Sequence, residues 1–200
     1  MGRAKQYERT ELLDRAVELF RRQGFNGTST TELVEELGVN RKSMYSEFGS
    51  KQGLFEATLE HYDRNHLSRV LGPLEADDAG LDSIRGAFED YASASEGRFN
   101  GLGCLMCNTA VERGATDPAS SRFTAAYLAR IDAAFRHALG NAQRSREMRE
   151  QANLPELAAF LTSVFVGVAA SVRAEAPPEQ LHATSKMVSR MLQAHSSPGL

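Results

Sequence analysis

Two groupings of residues in this chain have types and spacing that could do chemistry. One is the pair Cys104-Leu105-Met106-Cys107; the other is a basic, hydroxyl-rich run between Thr28 and Lys51. A thiol oxidoreductase would use the first pair, but no strand-helix-strand unit precedes it. A zinc site would need two more ligands, and His61, His66, His137, His182 and His195 form no metal-spaced pair with the cysteines. There is no glycine-rich phosphate loop and no Gly-x-Ser-x-Gly. The expectation is therefore no catalytic residue, no metal, no cofactor and no enzyme. Two readings remain for the cysteines. They can be small hydrophobes packed in a core. They can also be reactive thiols in the first turn of a helix opening after Gly101-Leu102-Gly103, where free amides favour a thiolate and a second cysteine can resolve a sulfenic acid.

The second grouping suits a nucleic acid only as a local cluster. The net charge is −3 over 200 residues. Residues 1–53 hold nine Lys/Arg against eight Asp/Glu, about +1, and the remainder holds fourteen against eighteen, −4. A generally basic surface is excluded, so any affinity for DNA must come from a few placed side chains. At 42% hydrophobic and 24% charged, the composition is that of an ordinary globular protein. Two cysteines exclude a disulfide framework and fit a reducing compartment. The polar start, Met1 to Arg9, does not read as a secretory signal. The apolar stretch Leu157–Val172 is interrupted by Thr162, Ser163 and Ser171, so no membrane span is expected and the cytoplasm is the default.

The elements that must position these residues are helices, eight or nine of them, with no sheet. A first helix over about 8–23 carries Leu13, Ala16, Val17 and Phe20 on one face, and Gly24 stops it. Thr28, Ser29 and Thr30 offer caps for a second helix through Leu37, with Glu32 set for a capping box. Gly38 ends it. Asn40 caps a third helix, Arg41 to Phe48, and Ser50 caps a fourth from Lys51 that carries Leu54, Phe55, Thr58, Leu59 and Tyr62 on one face. An acidic loop, 75–80, follows Gly72-Pro73. Further helices are expected over 81–95, 103–114, 118–139, 154–174 and 178–194, with breaks that include Gly140-Asn141.

Three short helices in fifty residues, the last two joined by a tight glycine turn, indicate a helix-turn-helix. Leu33, Leu37, Val39, Met44 and Phe48 would form its small core. The third helix would then offer Arg41, Lys42, Ser43, Tyr45 and Ser46 to a major groove. The starts of the second and fourth helices, at Thr28–Thr30 and at Ser50-Lys51, would offer amides and hydroxyls to phosphate.

The run from Thr28 to Phe55 strongly resembles the TetR/AcrR family of bacterial regulators. The resemblance lies in the Gly-Phe and Thr before helix two, Gly38-Val39 at the turn, Met44-Tyr45 in helix three, and Phe48-Gly49-Ser50-Lys51-Gln52-Gly53-Leu54-Phe55 into helix four. The specific match covers about Leu13 to Leu59. This chain departs from the pattern at Lys42, often glycine, at Val34, often alanine, and at Gly49, often proline. The resemblance implies DNA-contacting roles for Thr28, Ser43, Tyr45 and Lys51. It implies an all-α protein: an N-terminal three-helix DNA-binding domain, 1–50, followed by a larger helical ligand-sensing and dimerisation domain, 51–200. The partners it implies are a double-stranded DNA operator, a small-molecule effector and a second copy of the chain.

Within the second domain, Leu157, Phe160, Leu161, Val164, Phe165, Val168 and Val172 make a broad apolar helix, and Gly167, Ala169, Ala170 and Ser171 would allow close helix approach. The last helix adds Leu181, Val188, Met191 and Leu192. The expected dimer seam uses Phe160, Val164, Val168, Val188, Met191 and Leu192. Tyr62, His66, Phe88, Tyr91, Phe99, Cys104, Cys107, Asn108, Tyr127 and Phe165 are the candidates for lining an effector pocket.

Overall fold

A computed structural model describes residues 8–94, 96–97 and 101–197. Among them the secondary structure is helical, apart from one isolated antiparallel bridge between Met148 and Ser196. The helices are α1 (Arg9–Gly27), α2 (Thr30–Leu37), α3 (Arg41–Phe48), α4 (Lys51–Tyr62), α5 (Ser68–Glu75), α6 (Leu81–Ala94), α7 (Leu105–Arg113), α8 (Pro118–Arg144), α9 (Leu154–Arg173) and α10 (Pro178–Ala194). A π-helical turn, Asp63–Leu67, joins α4 to α5 without a break. The starts of α2, α3 and α4 fall where the caps predict. Ser29, Asn40 and Ser50 each accept a backbone N–H three residues on.

The chain divides into two compact units. The described residues of Met1–His66 associate with Cys104–Thr124, and Leu67–Gly103 with Ala125–Leu200. In the first unit α1 is the hub, packing on α2, α4 and α7. It buries Leu12, Leu13, Ala16, Val17, Leu19 and Phe20, so the apolar spacing of the sequence translates directly into an inner face. Phe20, Phe25 and Phe55 meet edge-on or stacked, with centroids 4.8 to 6.4 Å apart. In the second unit α6 packs on α5, α9 and α10. Its centre is an aromatic cluster of Phe88, Phe135 and Phe165, with centroids 5.5 to 5.9 Å apart and Tyr91 at 5.1 Å from Phe165.

One expected break is absent. Helix α8 runs through Gly140-Asn141 to Arg144 because Ala138, Leu139 and Ala142 are buried around it. A mid-helix glycine costs about 1 kcal/mol, less than the roughly 1.5–3 kcal/mol from burying one leucine. Helix α5 continues past Pro73, whose exposed ring lies between buried Leu71 and Leu74. Helix α9 spans the apolar stretch singled out in the sequence. Despite its hydroxyls it is, among the described residues, long and apolar enough to cross a membrane, and only a third of it is buried. Leu157, Ala158, Leu161, Phe165, Val168, Ala169 and Val172 turn inward.

Candidate nucleic-acid interface

Met44 has no exposed surface, and Leu33, Leu37 and Val39 are buried with it. This small core sets α3 against α2 as predicted, with one member changed. Phe48 is half-buried and lies under the guanidinium of Arg9, 5.7 Å from the ring centroid. Arg9 also pairs with Glu47 at 3.3 Å, so the first residue of α1 pins the far end of α3. With Met44 turned inward, Arg41, Lys42, Tyr45 and Ser46 are exposed together, and Ser43 is half-buried. The Arg41 guanidinium lies 5.9 Å from the Tyr45 ring centroid. Hydrogen bonding from Thr30, then from Arg41, lowers the Tyr45 phenol below its ordinary value. Tyr45 thereby links the reading face of α3 to the first residue of α2.

At the start of α2 the capping box is complete. Ser29 Oγ accepts the Glu32 N–H at 3.2 Å, and the Glu32 carboxylate accepts the Ser29 N–H at 2.7 Å. That bond to the Ser29 backbone is the first cause holding the Glu32 carboxyl below the usual range. The amides of Thr30 and Thr31 lie outside the box, directed along the helix axis where an anion can meet them. Thr28 does not join them. It is buried, and its hydroxyl donates to the Gly24 carbonyl at 2.6 Å, closing the end of α1 instead of facing outward. Lys51, at the start of α4, is half-buried with Nζ 4.3 Å from the Phe25 ring centroid. Burial, and then the neighbouring Arg113 charge, push its pKa down.

Residues far along the sequence support this surface, and sequence reading did not find them. From α7, Glu112 accepts the N–H groups of Phe25 at 2.9 Å and Asn26 at 2.7 Å. Arg113 lies over the Phe25 ring at 3.7 Å, donates to Gln52 at 2.9 Å and pairs with Asp117 at 3.4 Å. The end of α1 beyond the Gly24 kink is thus held by side chains nearly ninety residues away. No local pattern announces them, since Glu112 and Arg113 read as an ordinary charged helix end.

The expected pocket residues divide between the two units. In the first, Tyr62 is buried; its hydroxyl bonds Cys104 and accepts from the Leu105 backbone N–H, and burial first, Cys104 second, raise its pKa well above the ordinary value. Cys104 is the N-cap of α7 and Cys107 lies in its first turn; both are free and buried. The Asn108 amide donates to the Arg21 carbonyl at 3.5 Å. The His66 ring stacks on Tyr62 at 5.1 Å, and burial lowers its pKa. In the second unit Tyr127 is buried, and Phe88, Tyr91 and Phe165 belong to the aromatic core. Phe99 lies outside the described residues. The expected seam is likewise split. Val168, Val188 and Leu192 are buried in the unit's own core, whereas Phe160 is 49% exposed and Val164 and Met191 are half-buried.

Two family models match the chain: "Bacterial regulatory proteins, tetR family" over residues 12–58, and "Tetracyclin repressor-like, C-terminal domain" over residues 80–188. The chain belongs to the TetR family. It is a DNA-binding transcriptional regulator of that family, and the exposed face of α3 belongs to its helix-turn-helix. The HTH-type regulator YezE of Bacillus subtilis is 30% identical over 80% of this chain and 84% of its own length. The HTH-type transcriptional repressor ComR of Escherichia coli is 28% identical over 90% of this chain and 86% of its own. Among solved structures, a cysteine-substituted form of the TetR-family regulator CifR, complexed with 26-bp double-strand operator DNA, superposes with a TM-score of 0.80. It is 24% identical and covers 94% of this chain and 98% of its own. In this TetR-family chain residue 49 is a glycine at φ +72, a backbone that the proline common at this position cannot adopt.

Proposed function

We propose that the protein is a homodimeric repressor that places one α3 in each half of a palindromic operator and is released by a small-molecule effector. The observation that carries this reading is the exposure of Arg41, Lys42, Tyr45 and Ser46 together on one face of α3 above the buried Met44. Arginine and lysine reach guanine edges or phosphate, and the hydroxyls reach bases or phosphate. Ser29 and Thr30 at the start of α2 and Lys51 at the start of α4 serve the backbone on either side, and half-buried Ser43 completes the set. One short recognition helix reads too few base pairs for a specific complex, so a second copy is required. The surface for that copy is the outward face of α9 and α10: Ala159, Phe160, Ser163, Gly167 and Ala170, with Met187 at 60% exposure. Small residues there allow close helix approach, which makes the apolar outer face of α9 a protein contact and not a lipid one. On this reading the protein works in the cytoplasm. The test is binding of the full chain to the DNA upstream of its own coding sequence. A specific complex tighter than binding to random DNA of equal length by about a thousandfold is expected; equal affinity for both would refute the reading.

A second reading of the trigger is favoured by one contact, that of the Tyr62 hydroxyl with Cys104 at the start of α7. Hydrogen peroxide would oxidise the Cys104 thiolate to a sulfenic acid, the departing hydroxide taking up a proton to leave as water, and the Cys107 thiol would then displace the sulfenic oxygen as a second water to form a disulfide. Operator release by peroxide in the native chain, abolished in a Cys104→Ser, Cys107→Ser variant, would select this reading. Unchanged release leaves the thiols as packing groups and the effector non-covalent.

A further inference from the structure

His61 and His66 are five residues apart, a spacing that puts two side chains on different faces of a regular α-helix. Here the wider winding of the π turn Asp63–Leu67 brings them to the same side. Their ring centroids are 6.2 Å apart. Asp14, from α1, reaches both. Its Oδ1 is 2.7 Å from His61 Nε2 and 3.6 Å from His66 Nε2. His66 Nε2 is buried and makes no hydrogen bond. A polar nitrogen in that condition has lost its water and has only the carboxylate at 3.6 Å in its place. All three groups offer one ligand atom to a common point, each within 4.8 Å of the others. All three lie in the first compact unit.

We propose that Asp14, His61 and His66 form a binding site for a divalent transition-metal ion of the zinc, cobalt or nickel class. Two imidazoles and a carboxylate are the donor set that such borderline ions take, whereas calcium and magnesium demand oxygen. Neighbouring ligand atoms around a tetrahedral ion at roughly 2.0 Å are about 3.3 Å apart; the 2.7 and 3.6 Å separations bracket that value. Three protein ligands leave a fourth position for water or an exogenous donor. Asp14, with 54% of its side chain exposed, gives the ion a path from solvent. Asn65 supplies the outer support. Its amide lies 3.0 Å from His61 Nδ1. When the metal takes His61 Nε2, the ring proton moves from Nε2 to Nδ1, and the Asn65 amide turns its oxygen to accept it. The expectation of no metal rested on pairing histidines with cysteines. It missed this site because a spacing of five signals a shared face only where the helix is π-wound.

The experiment is a titration of the full-length, chelator-stripped chain with Co²⁺, followed by visible absorption, and with Zn²⁺, followed by calorimetry. One ion per chain is expected, with no thiolate-to-cobalt charge-transfer band. Loss of a ligand should weaken binding by at least about tenfold, both in Asp14→Asn, which alters an exposed side chain, and in His66→Phe, which keeps a ring on Tyr62. The Cys104→Ser, Cys107→Ser chain should bind unchanged. Excess Co²⁺ should raise the melting temperature of the native chain and leave that of Asp14→Asn where it was. Absence of stoichiometric binding, binding undiminished in both ligand variants, or loss of binding with the cysteines would each overturn the proposal.

Discussion

Single side chains here act through geometry that one exchange can test. Gly24 stands at φ +76 and ψ 176, and a Cβ added there would lie 2.7 Å from Glu112 Oε2. Gly24→Ala should therefore destabilise the chain by about 1–3 kcal/mol in denaturant unfolding, the range for forcing a side chain into such a conformation. Combining it with Glu112→Ala should give less than the sum of the two losses, because both act on one carboxylate; simple additivity would show that the contact does not exist. Asp117 offers a pH signature. Hydrogen bonding from Ser120, with Arg113 adding its charge, holds its carboxyl at about 2 against an ordinary 3.8. A folded-state pKa below the unfolded one contributes stability above the unfolded value, and that contribution is lost as pH falls toward about 2. Melting temperatures of native and Asp117→Asn chains should therefore differ at pH 6 and converge toward pH 2. On α3, Lys42→Ala should change the preferred base at one operator position by about 1–3 kcal/mol in competition binding, if Lys42 reads an edge, as its exposure allows.

At the scale of the element, α2 and α3 have only eight residues each, too few to persist without caps and a buried anchor. Ser29 and Met44 supply these. Ser29→Ala removes the cap and should cost about 0.5–2 kcal/mol. Met44→Ala removes the anchor and should cost about 2–5 kcal/mol. The two are separable in DNA binding. The Ser29 variant should lose affinity to a similar degree on every sequence if, as proposed, the start of α2 serves the DNA backbone. The Met44 variant should lose specific binding outright while most helical circular dichroism remains. Retained operator affinity in Met44→Ala would mean that α3 is not held by this core.

For the molecule as a whole, the distinction that matters is which apolar residues are already spent. Leu192 and Val188 are buried in their own unit, so a charge at either should unfold it. Phe160 and Met187 are 49% and 60% exposed, so Phe160→Glu or Met187→Glu should leave the fold and the melting curve nearly intact. Sedimentation should nonetheless show these variants as monomers with operator binding lost. A native chain that sediments as a monomer at micromolar concentration, or a Phe160→Glu dimer, would remove the proposed face.

The sequence by itself determined what is local. Caps at Ser29, Asn40 and Ser50 and the turn at Gly38 are set by residues within four positions of one another, and the core partners of Met44 lie within a dozen. Helix-turn-helix geometry was legible for that reason. Tertiary structure alone decided three things. Glu112 and Arg113 support the end of α1 from α7, a contact between distant segments that periodicity cannot encode. An apolar helix face looks the same in sequence whether its own chain or a partner covers it, so Val168, Val188 and Leu192 could not be told from Phe160. And Asp14, His61 and His66 meet only because the helix is π-wound at residues 63–67, where a winding of 3.6 residues per turn would have kept the histidines apart.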